Sequence, residues 1–172
     1  MARPPRIKDF DYRGFHQYFL TICTLNRTHH FTRSEAVSMA VSEILQSGGK
    51  HDIEVTAYCV MPDHVHLLAT GTTEAADLQS FMKMAKQTSG WAFRRTTGKR
   101  LWQEGFYDHV LRTEDATPGV LRYTINNPVR AGLVKAPEDY EFWGSQTYGR
   151  KELLEFIQGC EEWIPEWKRR RV

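Results

Sequence analysis

Two β-patterned runs separated by three residues constrain this chain most. Ile53 to Val60 and His64 to Thr70 are rich in branched and aromatic residues, with only Met61-Pro62-Asp63 between them. A Pro-Asp turn that short has no room for a crossover, so the runs are expected to pair as an antiparallel hairpin. Side chains alternate faces along a strand, which puts His64 and His66 on one side and Val65 and Leu67 on the other. Two imidazoles side by side on a rigid strand are a ready chelate for a divalent metal. The triplet alone is more often a pH-sensitive surface pair, or a site in an unrelated metalloprotein, than the mark of any one chemistry.

The flanking pattern alternates strands and helices. His16 to Thr24 reads as a strand, and Ser34 as the cap of a helix carrying Val37, Ala40, Val41, Ile44 and Leu45 to its end at Gly48-Gly49. This Gly-Gly-Lys50 lacks the upstream glycine and the leading strand of a phosphate loop. A second helix is expected from Ala75 to about Arg95, burying Leu78, Phe81, Met82 and Ala85. Phe106 to Arg112 reads as a strand. A third helix starts at Thr117-Pro118 and runs to about Asn126, where Pro128 stops it. The order predicts an α+β fold, a ferredoxin-like or RRM-like antiparallel sheet with helices packed on it, as one domain over residues 1–172.

Charge and composition narrow the function classes. No apolar run approaches a membrane span, and the basic start Met1 to Lys8 lacks the apolar core of a signal peptide. Cys23, Cys59 and Cys160 form no Cys-x-x-Cys pair and read as thiols of a reducing compartment, so a cytoplasmic location is expected. The net charge of +2 does not by itself imply nucleic acid. Its distribution says more: positive charge gathers in both tails (Arg3, Arg6, Lys8; Lys168 to Arg171) and between Lys83 and Arg100. Lys83, Lys86 and Arg94 fall near one another on the second helix and are candidates for a strand-binding groove, against the alternative of a solvated face. Trp91 and Trp102 could stack bases or fill the core.

The third helix adds a tyrosine. Val120, Leu121, Thr124 and Ile125 make its apolar side, and at 100° per residue Tyr123 and Asn127 project within roughly 40° of each other, off that side. Tyr123 is therefore expected at the boundary of the core rather than inside it. If this helix packs near the histidine strand, a hydroxyl nucleophile and an amide oxygen converge on His64 and His66.

Three motifs in this order carry a resemblance: Met61 to Leu68 (Met-Pro-Asp-His-Val-His-Leu-Leu), Trp102 to His109 (Trp-Gln-Glu-Gly-Phe-Tyr-Asp-His) and Tyr123 to Val134, with Asn-Asn-Pro-Val-Arg-Ala-Gly-Leu-Val at its core. Together they resemble the REP-associated tyrosine transposases, in the single-tyrosine branch of HUH single-strand transposases. The first strand, Tyr18 to Arg27, is similar as well, and the resemblance covers roughly 15–148. It implies a catalytic domain in which His64, His66 and Asn127 ligate a metal and Tyr123 is the nucleophile. Mobile insertion-sequence relatives usually carry Gln four residues after the tyrosine, and Asn127 agrees instead with the REP-associated branch.

The resemblance further implies Mg²⁺ as the ion, with Mn²⁺ able to substitute, and a single-stranded, hairpin-forming DNA as partner. Attack by Tyr123 would leave a 5′-phosphotyrosine and a free 3′-hydroxyl, conserving the bond energy for strand transfer. Arg130, inside the third motif, joins Lys83, Lys86 and Arg94 as a DNA-contact candidate. Asp63 could orient a ligand imidazole, and His109 is open between a supporting and a structural role. Monomer and homodimer are both compatible with the family. Two other readings stand beside this one: an RRM-like nucleic-acid-binding module displaying Phe19 or Tyr58 on its sheet, and a metal phosphoesterase that uses water.

Overall fold

The computed structural model describes residues 10–111, 116–161 and 163. Its strands are β1 (Gln17–Cys23), β2 (Ile53–Met61), β3 (His64–Gly71), β4 (Tyr107–Leu111) and β5 (Trp143–Gly144). Its α-helices are α1 (Ser34–Gly49), α2 (Leu78–Thr97), α3 (Ala116–Ile125), the single turn α4 (Asn127–Arg130) and α5 (Arg150–Gln158). The strands form one sheet in the order β4-β1-β3-β2-β5, with every neighbouring pair antiparallel. The four longer strands thus have the ferredoxin-like arrangement anticipated from the element order.

The hairpin forms as expected, with Met61 opposite His64 and Cys59 opposite His66. Strand alternation then sorts the core into two layers. Tyr18, Leu20, Ile22, Val65, Leu67 and Ala69 face α1 and α2, against Ala40, Ile44, Phe81, Met82 and Ala85. Phe19 and Leu68 face α3 and α5, against Val120, Leu121, Ile125, Leu153 and Ile157. A bulge between Val55 and Ala57 breaks the alternation of β2, so Val55 belongs to the first layer and Ala57, Cys59 and Met61 to the second. Each fully buried side chain of Leu or Phe size contributes about 1.5–3 kcal/mol. Helices cover both faces, and Phe19 is buried. An exposed aromatic platform built on Phe19, as an RRM-like module would need, is not what this sheet presents.

Several expectations are corrected. Ser34 is the first helical residue; Arg33 is the N-cap and makes no side-chain capping bond. At the other end, Gly48 lies so close to β2 that a Cβ there would sit 2.5 Å from the Ile53 carbonyl oxygen. The second helix begins at Leu78 rather than Ala75, because the Asp77 carboxylate accepts from the Ser80 amide and sets the first turn. It continues to Thr97 and ends on Gly98 at φ 72°. Proline at the first turn of α4 is tolerated, so the chain past Asn126 makes one more turn instead of stopping. The sequence pattern does not mark β5 or α5: two residues are too few for a strand signal, and α5 buries only Leu153 and Ile157. The basic tails, 1–9 and 164–172, and Arg112 lie outside the described residues.

Candidate active site

Strand register builds the first half of the site. β1 runs on one side of β3, with Cys23 opposite His64 and Thr21 opposite His66, all on the α3 side of the sheet. The histidines converge: their Nε2 atoms lie 3.1 Å apart. Both Nδ1 atoms are engaged on the outside. Asp63 Oδ1 is 2.6 Å from His64 Nδ1, and Thr21 Oγ1 is 2.9 Å from His66 Nδ1. A carboxylate only accepts, so His64 carries a proton on Nδ1, and in the neutral imidazole Nε2 is then bare. A hydroxyl does both. With Thr21 donating, His66 keeps a proton on Nε2 and hydrogen-bonds His64; with Thr21 accepting, both Nε2 lone pairs face the same point.

Asp63 is held in turn. Arg27 Nε lies 2.8 Å from Asp63 Oδ2, and Arg27 Nη1 donates to Cys23 Sγ over 2.8 Å. Burial pushes the Cys23 thiol pKa up, with Arg27 opposing the shift.

The second half comes from α3 and α4, whose apolar residues fasten them over β2 and β3. Tyr123 is 2% exposed, well inside the core and not at its boundary. Phe19 and Trp163 each contact its ring edge-on at 5.5 Å and 5.4–5.5 Å spacing is shared among the three rings. The Tyr123 ring centroid is 6.3 Å from that of His66, and the Arg130 guanidinium lies 5.1 Å from it. Asn127, also buried, donates from Nδ2 to the Tyr123 carbonyl oxygen over 2.8 Å. That bond orients the amide and leaves Oδ1 as its acceptor.

One cavity of about 810 Å³ gathers His64, His66, Tyr123, Asn127 and Arg130, with Arg27 and Tyr107 also on its wall. A metal fits this donor set. An octahedral ion about 2.1 Å from each ligand places neighbouring ligands about 3.0 Å apart, close to the observed histidine spacing. Two imidazole nitrogens and one amide oxygen, all neutral, leave further positions for phosphate oxygens or water. Among the described residues no group of three His, Cys, Asp or Glu could hold a metal, and the Asn127 amide is an oxygen donor on the same cavity wall as the two imidazoles.

The basic candidates separate. Arg130 reaches the cavity; Lys83 is exposed on α2 and lines no cavity described here. Lys86 points into the fold, where Nζ donates to the carbonyls of Gln103 (2.8 Å) and Gly105. Arg94 lines a separate groove beside Trp91. Trp102 is buried and donates from Nε1 to Ser89 Oγ, a core role, whereas Trp91 is 61% exposed. His109 stands opposite Phe19 on β4 and packs on Trp163. Thr21, Arg27 and Trp163 were not singled out from the sequence. Alternation puts Thr21 on the face of Phe19 and Cys23, but only register shows that it meets His66.

Comparison with known proteins shows a transposase family. Residues 15–127 match the family described as Transposase IS200 like. The chain is similar to the REP-associated tyrosine transposase of Escherichia coli (strain K12), 26% identical over 126 residues, which is 73% of each protein. It is 25% identical over 146 residues to a Haemophilus influenzae protein provisionally named for the same activity, covering 78% of this chain and 81% of that one. A solved REP-associated tyrosine transposase bound to a REP hairpin superposes with a TM-score of 0.67 at 25% identity, over 83% of this chain and 82% of that one.

Proposed function

The chain belongs to the IS200-like transposase family, and from that premise we propose that it cuts and rejoins hairpin-forming single-stranded DNA through Tyr123. The observation that carries this reading is the shared cavity, whose wall brings Tyr123 and the arginine over its ring together with the two convergent imidazoles. The hairpin-bound relative supports the choice of substrate.

His64, His66 and Asn127 would hold the divalent ion, Mg²⁺ or Mn²⁺. When bound, it neutralises a non-bridging phosphate oxygen and makes the phosphorus electrophilic. The chain's own residues do the rest. Asp63 and Thr21 fix the imidazoles, so the phosphate is received in one orientation. Arg130 supplies positive charge beside the phenol, favouring charge that develops on the phosphoryl oxygens. The Tyr123 oxygen forms a bond to phosphorus while the bond to the 3′-oxygen breaks; the phenolic proton goes to solvent and the 3′-oxygen takes one up. The 5′-phosphotyrosine keeps the phosphoester, so attack by a 3′-hydroxyl rejoins a strand without ATP.

Incubation with Mg²⁺ and a hairpin oligonucleotide labelled 3′ of the cut tests this. The label should enter a denaturing protein band, a 5′ label should leave on a shorter free fragment, and the matching linear duplex should stay whole. Cleavage without an adduct would favour a phosphoesterase that uses water, and no cleavage would favour a binding module.

A further inference from the structure

The groove of about 480 Å³ on the α2 side of the molecule is outside the catalytic cavity, and its walls are unlike an ordinary solvated face. Trp91 stands 61% exposed in mid-helix, an unusual position for the largest side chain. Arg95 lies 4.6 Å over its ring. Gln87, Trp91 and Arg94 follow at helical spacing, and Arg100 and Gln103 face them from the next segment. Arg94 and Arg100 form no ion pair among the described residues; Glu104 is the one acidic residue of the lining. An exposed indole flanked by arginines and amides suits a nucleic acid whose base faces are available. Bases inside a duplex stack on one another and offer no such face.

One segment contributes to the walls of both the groove and the catalytic cavity. The Gln103 amide donates to the Cys23 carbonyl oxygen (3.1 Å), and Cys23 lines the cavity. Lys86 braces the same segment through the carbonyls of Gln103 and Gly105, and that segment continues to Tyr107 on the cavity wall. Gln103 and Tyr107, four positions apart, lie at most about 14 Å from each other. The walls of the groove and of the catalytic cavity are therefore neighbours along one short segment.

We propose that Trp91, Arg94, Arg95 and Arg100 form a subsite for an unpaired segment flanking the hairpin, with a base stacked on Trp91. This rests on the single-strand cleavage reading and adds where the unpaired strand lies. Its test compares three fluorescent probes by anisotropy with the full chain: a blunt hairpin, the same hairpin with a single-stranded flank on either side, and unstructured oligo(dT). Trp91→Ala should weaken the flanked hairpin and oligo(dT) about tenfold and leave the blunt hairpin within about twofold, while Trp91→Phe restores most of the loss. Arg94→Ala with Arg100→Ala should flatten the salt dependence for the flanked probe alone. Equal weakening of blunt and flanked hairpins would make the groove a duplex contact and overturn the inference. No change on any probe would overturn it too, leaving Trp91 to another partner such as a protein. Wild-type protein that binds none of the probes would overturn the parent reading; binding and cleavage with an indifferent Trp91 would overturn the subsite alone.

Discussion

His64 and His66 turn their Nε2 atoms toward each other, 3.1 Å apart, while Asp63 and Thr21 occupy the opposite nitrogens. That spacing is close to the one two neighbouring ligands of a single octahedral ion would have. For His66 to change tautomer its ring proton moves from Nε2 to Nδ1 and the Thr21 hydroxyl turns from donor to acceptor, while Asp63 keeps a proton on Nδ1 of His64.

Removing either imidazole should therefore destroy the chelate. His64→Ala and His66→Ala are expected to abolish both Mn²⁺ binding, read by electron paramagnetic resonance, and cleavage. Asn127→Ala should do less, since water can replace an amide oxygen. A His66→Ala protein that cuts fully in chelator would remove the metal from the site.

The supporting contacts should be felt through metal affinity. Thr21→Val and Asp63→Ala are each expected to weaken Mn²⁺ binding about tenfold or more with the sheet unchanged by circular dichroism. Unchanged affinity in both would mean that the imidazoles are held by the strand alone.

Tyr123→Phe deletes one oxygen and keeps a ring that packs against Phe19 and Trp163. Thermal stability and hairpin affinity should persist, and cleavage and the covalent adduct should vanish together. Residual cutting would identify water as the nucleophile.

Arg130 stands over the same ring and should act on the rate more than on binding. Arg130→Gln is expected to slow single-turnover cleavage about a hundredfold with little change in oligonucleotide affinity. A loss confined to affinity would make it a simple phosphate contact.

Asp77 offers a prediction about stability. Burial alone would raise its carboxyl pKa, but hydrogen bonds from Ser80 and the charge of Arg13 hold it below the usual 3.8. A lowered folded pKa means a stabilisation complete above the unfolded value and lost as the pH falls through the folded one. Asp77→Ala should cost about 1 kcal/mol at pH 7 by urea unfolding, and the gap to wild type should close as the pH drops below 3.8. A gap that persists in acid would assign the effect to something other than the carboxylate.

The legible parts of this protein rest on local geometry. The tight Pro62-Asp63 turn forces the β2–β3 hairpin, strand alternation puts His64 beside His66, and helical spacing puts Asn127 one turn from Tyr123. All three follow from backbone periodicity, which neighbouring residues set. What the tertiary structure decided is which distant segments meet. Thr21 reaches His66 across 45 positions of sequence only because β1 pairs with β3 in one register. Tyr123 is buried because Trp163 and Phe19 close on it from elsewhere in the chain. On α2, Lys86 turns inward to two loop carbonyls while Trp91, five positions on, stays in solvent. Periodicity assigns side chains to faces of an element. Which face finds a partner depends on packing between elements, and no local pattern encodes it.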